Sequence, residues 1–214
     1  MPTTYLSDLR TQLRLDLHDT DAAAYRWTDT ALARHIERAL AEFSAACPLT
    51  ATTNINATAG IRAYSLAAIA AVHQRPASIF AVEWPFVAAD PTYPAPLVRY
   101  QVLDDILYLL VADAPAAGDV IRLWYHKNHT LSESVKTLAP EDEPVIQLGA
   151  AAYAAIERES YATERITVTG ANTPDDYMTW GDRALARFQA LLADARRQTA
   201  LAASTLHAWD TSEL

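Results

Sequence analysis

The sequence predicts an α+β protein. In it an N-terminal and a C-terminal helix pair form a four-helix bundle, with a small, mostly antiparallel β domain inserted between them. Three observations predict this. Apolar residues recur at helical spacing near both ends of the chain. The stretch between them is a run of short segments rich in β-branched and aromatic residues, broken by Pro, Gly and Asp. Each helix has a single apolar face, so the two pairs must cover one another. The expected division is a discontinuous helical bundle, 1–48 with 137–199, an inserted β domain, 49–136, and a C-terminal tail, 200–214.

The first helix is expected over Thr3–His18, where Leu6, Leu9, Leu13 and Leu17 share a face and Arg10, Arg14 and Asp16 lie elsewhere. A polar turn at Asp19–Asp21 leads to the most complete helix statement in the chain, Tyr25–Pro48. Thr28 is a good N-cap, and Asp29 sits in the first turn, where the helix dipole favours negative charge. Trp27 before the cap and Leu32 within the helix are spaced as a hydrophobic staple. Leu32, Ile36, Ala39, Leu40 and Phe43 form the stripe. Arg34/Glu37 and Arg38/Glu42 are spaced to pair on the wet side, and Pro48 stops the helix.

In the β block, Ala51–Asn56 alternates as a strand does, and Ala59-Gly60 is a turn from which Tyr64-Ser65-Leu66 returns. Ala67–Val72 is ambiguous. Ile79–Trp84 is a strand, and the prolines at 85, 91, 94 and 96 make the next segment a loop. Leu97–Val102 and Ile106–Val111 are expected to form a hairpin about Asp104-Asp105, and Val120–His126 is the last strand. The acidic, Pro-bearing Leu138–Pro144 then opens an alanine-rich helix with Val145, Leu148, Ala152 and Ile156 as its stripe. After a break at Thr163–Asn172, Thr173-Pro174-Asp175-Asp176 starts a long helix with Tyr177, Trp180, Ala184, Phe188, Leu191 and Ala195 on one face. Each large side chain buried this way contributes roughly 1.5–3 kcal/mol.

Composition narrows the function. The chain has 214 residues with a formal charge of −9, an unpromising balance for gripping nucleic acid, where phosphate neutralisation supplies most of the affinity. Cys47 is the only cysteine, which excludes an internal disulfide and a cysteine zinc site. No signal layout and no membrane-length apolar run is present, so synthesis in the cytoplasm and no membrane partner are expected. There is no P-loop, G-x-G-x-x-G or G-x-S-x-G. His126 and His129 are close but lack an evident third ligand, so no metal site is expected. Asp175-Asp176 and Glu141–Glu143 lie at helix starts, and Asp104-Asp105 at a turn, which explains these acids without catalysis. No catalytic residue, metal or cofactor is therefore assigned. Two interaction candidates remain. Trp84 and Phe86 form an exposed aromatic loop, either a binding surface or a loop packed on its own sheet. Leu201, Leu206, Trp209 and Leu214 give the tail more apolar weight than a solvated end carries, so that it either folds back on its own domain or docks on a partner subunit.

The pattern as a whole resembles the head-to-tail connector, or neck adaptor, proteins of tailed bacteriophages. The residues that carry this run in order through most of the chain: Leu9-Arg10, Leu13, Leu17-His18-Asp19, then Arg26-Trp27-Thr28-Asp29 opening a helix that closes in Phe43-Ser44. Ala63-Tyr64-Ser65-Leu66, Ile79–Trp84, Gly118-Asp119-Val120, Leu123-Trp124-Tyr125, His129-Thr130 and the acidic Leu138–Pro144 follow. The resemblance implies a non-catalytic virion subunit in the neck, between head and tail. It would assemble with itself in a ring, usually twelvefold, bind portal and tail or neck proteins, and prolong a channel through which DNA passes without specific binding. The C-terminal tail would then reach a partner. A tail- or baseplate-associated module that binds protein or carbohydrate is the alternative.

Overall fold

A computed structural model of the chain describes residues 5–67, 78–89, 95–162 and 174–207. Among them are four helices and two small antiparallel sheets: α1 (Leu6–Asp16), α2 (Asp29–Ala46), β1 (Leu49–Asn56), β2 (Ala63–Ser65), β3 (Ser78–Glu83), β4 (Tyr100–Leu103), β5 (Ile106–Leu109), β6 (Val120–Lys127), α3 (Glu143–Ala162) and α4 (Pro174–His207). The protein is thus α+β. It divides into two compact units, one from Met1–Cys47 and His129–Leu214, the other from Pro48–Asn128. None of the described helices is long and apolar enough to cross a membrane.

In the helical unit, α2 begins as its cap predicts: Ala31 N–H donates to Thr28 Oγ1 at 3.1 Å. Its stripe, Leu32, Ile36, Ala39, Leu40 and Phe43, is buried with Leu9, Leu13 and Leu17 of the first helical stretch. α3 packs against α2 and α4, and α1 packs against α2 and α3. The expected α3 stripe is too narrow. Gly149 and the alanines from Ala150 to Ala155 are buried on nearly every side, and Ile146, not Val145, is the fully buried aliphatic at the helix start. Small residues let α4 approach closely: a Cβ on Gly149 would stand 2.8 Å from the Phe188 ring, and one on Gly181 would stand 2.9 Å from Ile156. On α4 the buried face is Gly181, Ala184, Phe188 and Leu192, so Trp180, expected inside, is exposed. α4 also continues to His207, which makes Leu201 and Leu206 helical.

The expected bundle boundary at 137 falls earlier. His129 already packs on Phe43, with ring centroids 5.5 Å apart. Its Nε2 lies 3.0 Å from the Cys47 carbonyl, Leu6 N–H donates to Ser132 O, and Arg10 pairs with Glu133 at 2.6 Å. These contacts draw 129–136 into the helical unit.

The β unit contains two three-stranded sheets, ordered β1-β6-β3 and β2-β5-β4. β1 pairs along its whole length with β6, Leu49 opposite Lys127 and Asn56 opposite Val120. Tyr64-Ser65 therefore does not return on β1: β2 pairs with β5 in the other sheet. The β4–β5 hairpin turns on Asp104 and Asp105, with φ of 49° and 59°. Two successive left-handed residues match the twist of the flanking strands. Val82, Leu107, Leu109, Ile121 and Leu123 form the core of this unit.

Candidate interaction surface

The motif residues between α1 and α2 converge on Arg14, which the helical pattern had placed away from the core. The residue is only 7% exposed. Its guanidinium donates to Asp19 Oδ2 at 2.5 Å, to Asp29 Oδ1 at 2.7 Å and to the Trp27 carbonyl at 3.0 Å, and it lies 3.6 Å over the Tyr25 ring. Asp19 turns its other oxygen to Arg26 N–H at 2.7 Å. His18 makes the turn possible by adopting φ 51°. The bond from Arg14 is the main reason the Asp29 carboxyl is held below its ordinary value. Trp27 then pins this loop to α3 by donating Nε1–H to Ala154 O at 3.1 Å. The Leu17-His18-Asp19 and Arg26-Trp27-Thr28-Asp29 segments are thus two halves of one structural lock.

Beside the lock, the start of α2 and the later turns of α3 enclose a groove of about 370 Å³. It is lined by Trp27, Thr30 and Ala31, by Arg26, Arg34 and Arg158 and, among the described residues, by one carboxylate, Glu157. Arg34 pairs with Glu157, and not with Glu37 as its spacing suggested. His35 Nε2 also lies 2.5 Å from Glu157 Oε2. Burial pushes His35 below the ordinary histidine value, against the pull of Glu157. Burial would raise Glu157, but Arg34 and His35 together outweigh it and hold the carboxyl low. Arg26 donates to the Tyr177 hydroxyl, and the Arg158 guanidinium stands 6.0 Å over the Trp27 ring. Among the described residues neither Arg26 nor Arg158 has a carboxylate partner. The chemistry offered is cationic and planar: forked donors for carboxylates and flat faces for an aromatic ring.

The aromatic pair expected on an exposed loop is not one. Phe86 is 4% exposed and lies 3.3 Å beneath the Arg122 guanidinium, while half-buried Trp84 donates Nε1–H to Asp119 Oδ2 at 3.1 Å. Both rings therefore serve their own sheet. His126 and His129 are held by different partners: His126 stacks on Phe80 at 4.5 Å, and His129 packs on Phe43. No group of three or more metal-ligating side chains gathers among the described residues. Of the tail candidates, Trp209 and Leu214 lie outside the described residues, and Leu201 and Leu206 belong to α4 by their backbone. Sequence reasoning missed Arg14 and the groove. The available signal was an arginine on α1 followed by two turn acids, Asp19 and Asp29, between helices spaced for a hairpin.

No family model matches the chain, and no curated protein matches it. Solved chains that are similar include the following three, each at 18% identity. One is from the neck of an empty gene transfer agent particle computed with sixfold symmetry, covering 84% of this chain and 87% of that one with a TM-score of 0.29. Another is from the virion of a native gene transfer agent particle, covering 85% and 91% with a TM-score of 0.29. The third is from the neck of a native particle computed with twelvefold symmetry, covering 86% and 92% with a TM-score of 0.26.

Proposed function

We infer that this protein is a non-catalytic structural subunit of a phage-like particle, a head-to-tail connector whose copies form a ring between portal and tail. The observation that carries the reading is the chain's own architecture. A helical unit is assembled from the two ends of the chain, with a β unit inserted at Pro48–Asn128. That is the arrangement the sequence predicts, and two of the segments that carry the resemblance, Leu17–Asp19 and Arg26–Asp29, meet in the Arg14 lock. In this reading α1 to α4 form a four-helix bundle, DNA passes the ring without specific binding, and the segment after α4 meets a partner. The net charge of −9 supports a conduit role, because like charge discourages sticking to DNA. The alternative, a binding module centred on Trp84 and Phe86, loses support because Phe86 is buried.

Electron microscopy and analytical ultracentrifugation of the purified protein, alone and with its particle's portal protein, test the reading. Rings, or a stable complex with portal, are expected. A chain that stays monomeric in the presence of portal would sink it.

A further inference from the structure

Resting on that ring reading, we propose that the groove at the start of α2 receives the segment 208–214 of a neighbouring copy, and so forms the subunit-to-subunit contact. Charge complementarity gives the first argument. On a chain of net charge −9, the groove gathers Arg26, Arg34 and Arg158 against one carboxylate among the described residues, Glu157. The segment Ala208–Leu214 contains Trp209, Asp210 and Glu213 and no basic residue. Arg26 and Arg158 lack carboxylate partners among the described residues, and forked guanidinium donors match carboxylates. The exposed Arg158 face also suits an indole such as Trp209.

The length of α4 decides between the same chain and another. Tyr177, near the start of α4, touches Arg26 at the groove. His207 ends that helix about 45 Å away, at 1.5 Å of rise per residue. Residues as far as Leu214 lie within seven positions of His207 and reach at most about 25 Å in extended form. A chain therefore cannot place Trp209–Glu213 in its own groove, and the segment that occupies it comes from a second copy. One surface then meets a different surface on the next subunit, the head-to-tail geometry that closes rings. Another acidic stretch of the helical unit is less suited, because Glu143 is already paired with Lys136.

The test has two arms on the full-length protein. In the first, a labelled synthetic peptide of residues 205–214 is titrated into the protein and followed by fluorescence anisotropy. Saturable binding is expected, weakened on the order of tenfold by Arg158→Glu with Arg26→Glu, and recovered when the peptide carries Asp210→Arg with Glu213→Arg. In the second, ring formation is measured for Asp210→Arg with Glu213→Arg, a variant that leaves every described residue intact. Loss of rings, with recovery when the groove arginines are reversed as well, is expected. Wild-type rings that persist in both reversed variants would overturn this contact and leave the connector reading standing. Peptide binding unaffected by the arginine reversals would also overturn it, as would loss of portal binding with self-assembly unchanged. Absence of any wild-type ring or portal complex, with peptide binding intact, would count against the connector reading alone.

Discussion

Arg14 in the helical unit and Arg122 in the β unit each bring a positive charge toward a buried carboxylate, Asp19 and Glu83, yet their surroundings differ in kind. Arg14 finds two carboxylates and a carbonyl within 3.0 Å. Arg122 approaches Glu83 no closer than 3.9 Å, and Arg122 Nε and Glu83 Oε2 have no hydrogen-bond partner among the described residues. Glu83 is nevertheless only 3% exposed. Desolvating a charge is repaid only when geometry is good and the remaining donors are satisfied. The first site therefore holds a loop in one conformation. The second rests mainly on the Arg122 guanidinium lying over Phe86 and on the aliphatic core behind it.

The widest separation between the two is expected from removing one acid at each. Asp19→Ala should destabilise the helical unit by about 3 kcal/mol, the lower end for breaking a buried pair, because Asp29 still holds Arg14. Hydrogen exchange read separately on α1–α2 and on β1–β6 would locate the loss. A loss under 1 kcal/mol, by roughly the worth of a surface pair, would mean that the lock is decorative.

Tight packing is the helical unit's second distinction. Gly149→Val would drive side-chain atoms into Phe188, which is fully buried and has no room to turn aside. Overpacking of this kind costs about 1–3 kcal/mol, and the valine adds a β-branched helix penalty. Thermal unfolding should show it, and an unchanged melting temperature would mean that α3 and α4 can slide apart freely. In the β unit, by contrast, Glu83→Gln should change stability by less than about 1 kcal/mol in either direction, because it deletes a buried charge that gains little from its partner. A drop as large as that from Asp19→Ala would erase the contrast between the two arginines.

The stripe on α2, the Thr28 cap and the Asp104-Asp105 hairpin were legible in the sequence because each is a local rule satisfied within a few residues. Periodicity was less reliable where size, not polarity, decides burial. Alanine and glycine carry almost no hydrophobic signal, so the near-complete burial of 149–155 was hidden, and with it the rotation of α4 that leaves Trp180 outside. Strand pairing was hidden for another reason: nothing local tells Tyr64-Ser65 to choose β5 over β1. The groove was the least legible feature. Arg26 and Arg158 are distant in sequence and become neighbours only after Trp27 is pinned to Ala154.

The smallest expected effect is a dependence on pH that belongs to the helical unit through His35. Burial favours its neutral form in the fold, below the ordinary histidine value of 6.5. The unfolded chain takes up the proton first, so as pH falls below 6.5 stability falls with it. Asp29 and Glu157, both held low, add the same sign only when pH drops through the carboxylate range. Asp142, raised by burial, opposes them there. Between pH 6.5 and that range His35 therefore contributes a slope of this sign in the helical unit. In the β unit His126, also lowered by burial, gives a slope of the same sign. His35→Gln should flatten the first slope and leave the second unchanged, as measured by hydrogen exchange at pH 7 and pH 5.5 with intrinsic rates corrected. Equal flattening in both units would mean that the two histidines do not titrate as separate parts of the molecule.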